Sequence, residues 1–376
     1  MTGTLRIVHC FRSPVGGIFR HVRDLTESQA AAGHLVGIVC DSTTGGDLEE
    51  QLFDELRPSL ALGISRTPMQ RHISLGDIAA AWRTFGIIKE LKPDILHGHG
   101  AKGGAYSRVF GSLLRVFRFR VARIYTAHGG SLHYDERTAA GKLFFSLERM
   151  MAWFTDYTLF VSEYERNAYH RKVGQPDRLS ALVYNGLQEV EFVSVPAASD
   201  AADFLYIGMM RDLKGPDLFI DALARVESQL GRQVTAVMVG GGDQLPRYRA
   251  QVKRLGLAGR VHFLDPMPAR LAFALAEFVV VPSRAEAMPY VVLEALAAGK
   301  SMIATSVGGI PEIFGTGSPA LVRPDSGELA ERMAQALSTP EAYAGHMPSP
   351  NLLRSRFGAE TMARDIEKAY MAALPR

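Results

Sequence analysis

Short runs of apolar and β-branched residues alternate along the chain with longer stretches of helical periodicity. The first series is LRIVHCF (5–11), LVGIVC (35–40), DILHGH (94–99), ARIYTAH (122–128) and YTLFVS (157–162). The second is DFLYIG (203–208), VTAVMVG (234–240), VHFLD (261–265), FVVVPS (278–283) and SMIATSVGG (301–309). Apolar runs without strict alternation are buried on both faces, which predicts parallel sheets covered by helices. Between the two series, EVEFVSVPAASDAAD (189–203) lacks periodicity and is rich in small residues, so it reads as a linker. The pattern predicts an α/β protein of two doubly wound domains, 1–188 and 204–356. Ligands are expected outside the carboxyl ends of the strands, where the sheets face a cleft. A last segment, 357–376, carries the amphipathic helix AETMARDIEKAYMAAL (359–374), expected to pack back toward the N-terminal domain.

Composition narrows the class. The 376 residues are 47% hydrophobic and 22% charged, which excludes a disordered chain, a collagen and a coiled coil. Cys10 and Cys40 are the two cysteines and each lies in an apolar run, so a disulfide framework and Cys-rich zinc sites are excluded. The start, MTGTLRIVHCF, runs directly into a strand and does not read as a signal peptide. The longest hydrophobic stretch, from Leu143, carries Glu148, Arg149 and Asp156 and would not span a bilayer cheaply. The chain is expected to be cytoplasmic, or peripheral on the inner face of the plasma membrane. A net charge of +3 is too small for a nucleic-acid binder. The basic excess sits in 1–185, with 23 basic and 18 acidic residues. There RVFRFRVAR (115–123), near Lys102 and Arg108, offers a basic, aromatic-bearing patch for an anionic membrane surface, or else a helix followed by a basic loop.

Candidate chemistry lies at strand ends. Gly16 and Gly17 open a helix after the first strand, where backbone N–H groups can approach an anion, or simply make a tight turn. Gly241 lies in GGGD (240–243), a turn of the same kind. Ala-Gly-Lys-Ser (298–301) imitates the end of a Walker motif but follows a helix instead of preceding one. His97 and His99 share one side of a strand, but spacing supplies no third metal ligand. His128, in TAHGG, stands at a strand end as a cleft residue or a structural turn. The richest stretch is FVVVPSRAEAMPYVVLEALAAGKSMIATSVGGIPEI (278–313). Its helix N-terminus, around Met288, Tyr290 and Val291 with Pro289 placed to occupy the first turn, offers free N–H groups to a phosphate. Glu286 and Glu294 flank that site and would repel a diphosphate, so they are expected to meet hydroxyls instead.

This stretch resembles the Glu-x7-Glu signature of the retaining glycosyltransferases of family 4 (glycosyl transferases group 1), whose fold is GT-B: two Rossmann-like domains facing each other across a cleft. FLYIGMMRDLKGPDLFIDAL (204–223) resembles the family's Lys-Gly phosphate-binding segment, and VYNGL (183–187) its interdomain Asn-Gly element. Gly16–Gly17, DILHGHGAKGG and TAHG look like its N-domain cleft motifs. The resemblance implies that Glu294 holds the ribose hydroxyls, Glu286 the transferred sugar and Lys214 the diphosphate. It places Gly17, with Gly16, against the same diphosphate, Gly208 and Gly241 on the donor side, and His128 beside sugar and acceptor. His99, Lys102, Arg118 and Arg120 fall on the acceptor side. The family usually has Arg directly after the glycine matching Gly208. Met209 stands there, and Arg211 is the nearest candidate.

The expected activity is metal-independent transfer of a hexose-type sugar from a nucleoside-diphosphate sugar, UDP favoured, to a glycan or to a polyprenyl- or lipid-linked acceptor. Lys214, a helix N-terminus and Gly-rich backbone supply the leaving-group stabilisation that other enzymes take from a metal on Asp-x-Asp, a motif absent from this sequence. No cofactor and no metal are expected. The competing readings are a sugar-nucleotide epimerase-hydrolase on a related fold and a non-catalytic sugar-nucleotide-binding subunit.

Overall fold

The computed structural model of the chain describes residues 3–70, 75–176 and 178–374. It divides into two compact units, Met1–Gly186 with Ala359–Arg376, and Leu187–Gly358. The first holds a seven-stranded sheet of β1 (Arg6–Phe11), β2 (Leu35–Asp41), β3 (Ile64–Thr67), β4 (Ile95–His99), β5 (Ala122–Thr126), β6 (Tyr157–Phe160) and β7 (Leu179–Leu182), in the order β3-β2-β1-β4-β5-β6-β7. The second holds β8 (Ala202–Ile207), β9 (Ala236–Val239), β10 (Val261–Leu264), β11 (Ala276–Val281), β12 (Ser301–Thr305) and β13 (Leu321–Val322), in the order β10-β9-β8-β11-β12-β13. Every strand pairing is parallel. The order reverses between β1 and β4, and between β8 and β11. These are the switch points where a doubly wound sheet opens a crevice at its carboxyl edge.

Both faces of the central strands are buried, which is why the strands read as unbroken apolar runs. On one face of the first sheet Ile7, Ile95 and Ile124 pack against Met362, Ile366 and Tyr370 of the helix Ala359–Ala373. On the other, Val8, Cys10 and Leu96 pack against Phe85, Phe110 and Leu114. The second sheet buries Phe204, Tyr206, Phe278 and Val280 against helices Pro216–Leu230 and Ser326–Ser338. Three strands escape the sequence pattern: β3 (ISRT), β7 (LSAL) and the two-residue β13. All three are sheet edges. These three carry few buried apolar positions, so no apolar run announces them, whereas the fourth edge, β10, is announced by VHFLD.

Helix Gly100–Val116 lies close against the first sheet. A Cβ on Gly103 would stand 2.2 Å from the Cys10 carbonyl oxygen, and one on Gly104 would stand 2.3 Å from the Tyr125 ring. The glycines of GHGAKGG thus have a packing reason for their identity. Gly86 differs, because it lies inside helix Leu75–Leu91 with nothing within 4 Å of its would-be Cβ. Gly103→Ala is therefore expected to destabilise by about 1–3 kcal/mol through overpacking. Gly86→Ala is expected to stabilise by roughly 0.5–1 kcal/mol through helix propensity. Urea midpoints of both variants check the pair, and equal midpoints would contradict it.

Candidate functional site

At the carboxyl edge of the second sheet, β8 runs into the loop Gly208–Arg211 and a turn of 3-10 helix, Asp212–Lys214. Gly215 ends that turn with φ 68°, and a Cβ there would meet the Pro282 carbonyl oxygen at 2.1 Å. This contact brings the β8 loop against the end of β11. Lys214 then reaches Glu286, with Nζ 2.6 Å from Oε1 and 2.8 Å from Oε2. The Ser283 hydroxyl donates to Glu286 Oε1 at 2.7 Å. Glu286 is buried, whereas the Lys214 side chain keeps 22% exposure. An ammonium has three N–H donors, and the carboxylate takes two of them. The third remains for an acceptor such as a phosphate oxygen.

The neighbouring loops are fixed through their backbones. Thr305 donates to the Ser283 carbonyl at 2.6 Å. Gly308, with φ 60°, leaves no room for a Cβ, which would lie 1.8 Å from the Glu286 carbonyl oxygen. Gly240 packs on Gly208 in the same manner, with a would-be contact of 2.0 Å, and the Gly241 carbonyl accepts from Met210 N at 2.9 Å. Arg284 forks onto Asp217 at 2.7 and 2.5 Å, and also donates to the Asp212 carbonyl at 2.7 Å. Pro289 is the N-cap of helix Tyr290–Ala297, one position before the first turn where the sequence reading put it. Met288, Pro289 and Tyr290 are buried, while Val291 and Glu294 are half-buried. Arg211 is exposed, and its side chain makes no hydrogen bond or ion pair among the described residues. Lys214, Glu286 and Ser283 are thus in direct contact, and Gly208, Gly241 and Arg211 lie in the loops beside them.

In the first unit, Gly16 is exposed with φ 72° and caps helix Gly17–Ala31. His99 caps helix Gly100–Val116. His128 adopts φ 50°, a left-handed conformation that a non-glycine residue holds only when its surroundings enforce it. The buried Glu165 carboxylate does so, accepting from Gly129 N and, at 2.9 Å, from Val161 N.

Five histidines gather here. His9 Nδ1 lies 3.0 Å from His99 Nε2, and His99 Nδ1 lies 3.1 Å from His128 Nε2. His97 bonds Tyr370 at 2.7 Å and Thr126 at 2.8 Å, and His21 bonds Asn185 at 3.2 Å. Burial lowers His9 to about 4, with Gln29 opposing. Burial and then His9 lower His21 to about 3, while Asn185 opposes. Burial, then neighbouring histidines, hold His97, His99 and His128 well below the usual range. His9 and His21 went unnoticed in the sequence because each is a lone histidine inside an apolar strand or a helix. Only the order β1-β4-β5 sets them beside His97, His99 and His128.

The basic patch shrinks. Arg108 is buried and bidentate with Glu148 at 2.9 and 3.2 Å, its guanidinium 4.0 Å from the Tyr125 ring centroid. Arg115 and Arg123 both bond Asp156, at 2.6 and 2.8 Å. These three cations neutralise interior carboxylates and do not face a partner. Lys102 donates to the Gln70 carbonyl. Arg118 and Arg120 are exposed, beside Val116 at 76% and Phe117 at 53% exposure.

Comparison with solved structures places this pair of sheets in the GT-B class. HepE of Anabaena, in complex with UDP and glucose, superposes with a TM-score of 0.78 at 19% identity, covering 98% of this chain and 99% of that one. WaaG, a glycosyltransferase involved in lipopolysaccharide biosynthesis, gives 0.69 at 18%, covering 98% and 99%. Two family models match in succession, Glycosyltransferase Family 4 over 15–189 and Glycosyl transferases group 1 over 201–339, and the chain belongs to this glycosyltransferase family. A D-inositol 3-phosphate glycosyltransferase of Corynebacterium glutamicum is 26% identical over 269 residues, 65% of this chain and 63% of that protein. That of Jonesia denitrificans is 33% identical over 147 residues, 37% of this chain and 35% of that protein. The matched part is less than two thirds of the length of these relatives.

The histidine cluster has a measurable consequence. Below pH of about 6.5 the unfolded chain protonates histidines that the fold keeps neutral, so stability falls as pH falls. The contribution is complete above about 6.5 and declines toward about 4 for His9 and about 3 for His21. Each such group contributes up to about 1.4 kcal/mol per pH unit. Urea midpoints should fall from pH 7.5 to 5.5, and a flat profile would show that these rings are not held neutral.

Proposed function

We propose that this chain transfers a hexose from a nucleoside-diphosphate sugar to a hydroxyl of a glycan or lipid-linked acceptor, with retention at the anomeric carbon and without a metal cofactor. The reading rests on one observation above all: Lys214, Glu286 and Ser283 form a single hydrogen-bonded cluster at the switch point of the second sheet. A pyrophosphate leaving group gains charge as the glycosidic bond breaks. A cation already oriented by a buried carboxylate stabilises that charge with little reorganisation. Glu286 fixes Lys214 and, with remaining lone pairs, accepts from a sugar hydroxyl. Glu294, one helix further on, takes the ribose hydroxyls. Arg211, whose side chain makes no hydrogen bond or ion pair among the described residues, substitutes for the family arginine that Met209 displaces. UDP is the favoured nucleotide because HepE was crystallised with UDP-glucose.

The acceptor belongs to bacterial cell-surface polysaccharide or glycolipid synthesis, which WaaG's role supports. A second reading, a phosphorylated polyol acceptor, is favoured by the names of the curated relatives. No helix among the described residues is long and apolar enough to cross a membrane. The chain works in the cytoplasm, with Arg118, Arg120, Val116 and Phe117 resting on an anionic leaflet.

Initial rates against UDP-sugar concentration test the donor site. Lys214→Ala should lower kcat by about 10²–10³. Glu286→Gln should also lower kcat, and the double variant should be no worse than the worse single one, because the two act as a unit. Glu294→Gln should act mainly on KM, because ribose contacts are nearly uniform between ground and transition states. Arg211→Ala should lower kcat/KM by about tenfold, the value of one charge-assisted hydrogen bond. A Lys214→Ala enzyme with wild-type kcat would remove this mechanism. Release of free sugar without acceptor would identify a hydrolase instead.

Vesicle sedimentation tests the membrane contact. Each basic residue near an anionic surface contributes about 1 kcal/mol. An Arg118→Glu, Arg120→Glu variant should therefore bind anionic vesicles at least tenfold more weakly. Equal recovery with wild type would refute the contact.

A further inference from the structure

The histidine cluster carries a property beyond neutrality. Each neutral imidazole has one donor and one acceptor nitrogen. In His9, His97 and His99 both nitrogens are engaged, so fixing one bond fixes the direction of the next. Gln29 supplies the anchor. Its Oε1 lies 2.9 Å from His9 Nε2, and its Nε2 lies 3.2 Å from the Tyr370 hydroxyl. An amide oxygen only accepts, so His9 carries its proton on Nε2 and its Nδ1 accepts. His99 must then donate from Nε2, and His128 must donate from Nε2 to His99 Nδ1. That leaves His128 Nδ1 with a lone pair and no protein partner among the described residues, on a half-buried ring. Along the other branch the Gln29 amide donates to Tyr370, Tyr370 donates to His97 Nδ1, and His97 Nε2 donates to Thr126.

Rotating one amide would reverse every bond in both branches. The network has two self-consistent arrangements, and Gln29 selects between them. The geometry points to Gln29 and Tyr370 as positioning residues that set the tautomer of His128 through the buried His9–His99 chain, presenting His128 Nδ1 as an acceptor for a substrate hydroxyl. The proposal rests on the reading of His128 as a substrate-facing residue. It also assigns the C-terminal helix Ala359–Ala373 a task besides covering the sheet, because it brings Tyr370 to Gln29.

The same rings offer a competing arrangement. Single nitrogens of His9, His97 and His99, and of His21, His99 and His128, lie within 4.8 Å of one another. A metal would need a bare nitrogen from each ligand. In the hydrogen-bonded chain, one nitrogen of every contacting pair carries a proton.

Histidine-selective ¹⁵N labelling with long-range ¹H–¹⁵N correlation at pH 7.5 reads the tautomers directly, with assignments from single His→Gln variants. His9, His99 and His128 should all show protonated Nε2 and bare Nδ1, unchanged by added Zn²⁺. Any of the three with its proton on Nδ1, an imidazolium, or a Zn²⁺-induced shift would overturn the proposal.

Kinetics supply the second arm. Gln29→Leu should mix the tautomers and lower kcat about tenfold with donor KM within twofold. Tyr370→Phe should act in the same direction more weakly. Gln29→Glu restores a pure acceptor to His9, so it should recover the His128 tautomer and most of kcat, while the His97 branch reverses. Gln29→Leu with wild-type kcat and tautomers would refute the relay. His128→Ala with wild-type kcat would instead refute the substrate-facing reading on which it rests.

Discussion

Close approach of backbone to backbone along the carboxyl edges of the two sheets is the constraint on which the rest of this structure depends. In the first unit, Gly103 lets a helix settle against the Cys10 carbonyl, which sets the helix N-terminus and His99 beside β1. In the second, Gly215 lies on Pro282, Gly240 on Gly208, and Gly308 on Glu286. A methyl group at any of these places would meet a backbone atom at 2.8 Å or less. Such contacts involve groups that cannot move aside as a flexible side chain can. The side chains of the candidate site, Lys214 and Glu286, therefore stand on loops whose spacing is set by these backbone contacts.

The two units solve the problem of buried polarity in opposite ways. The second holds charge at its edge, where Lys214 keeps some solvent and Glu286 is compensated by an ion pair and a hydroxyl. A charge so placed can be exchanged for the charge of a ligand. The first lines its edge with neutral rings, and its buried Glu165 carboxylate is met by backbone N–H groups. Its histidines are desolvated far enough to exist as imidazoles, and hydrogen bonds join His9, His99 and His128 in sequence. Neutral imidazoles suit recognition of hydroxyls, whereas an ammonium suits a phosphate.

The charges that do enter the first unit are structural. Arg108 with Glu148, and Arg115 and Arg123 with Asp156, are pairs in which each guanidinium fork meets a carboxylate. Removing one partner of such a pair leaves an uncompensated buried charge, which is far more costly than the pair is favourable. Their identity as arginines therefore says nothing about an external partner.

The division between what the sequence determined and what needed three dimensions follows from range. Unbroken apolar runs determined the parallel, two-sheet architecture, because burial on both faces leaves a local signature. The edge strands β3, β7 and β13 left none, being short and half-solvated. Glu286, Glu294 and His128 were readable as candidates because strand ends and glycine and proline punctuation lie close to them, and Lys214 because its segment resembles the family's Lys-Gly element. The bond between Lys214 and Glu286, 72 residues apart, was not readable, and neither was the hydrogen bond joining Gln29 to Tyr370 across 341 positions. RVFRFRVAR looked uniform as a string, yet two of its arginines are committed to Asp156 and two face outward. Local pattern fixes which side chains are available. Strand order fixes which of them meet, since a hydrogen bond needs atoms within about 3 Å, and only the packed chain sets that distance.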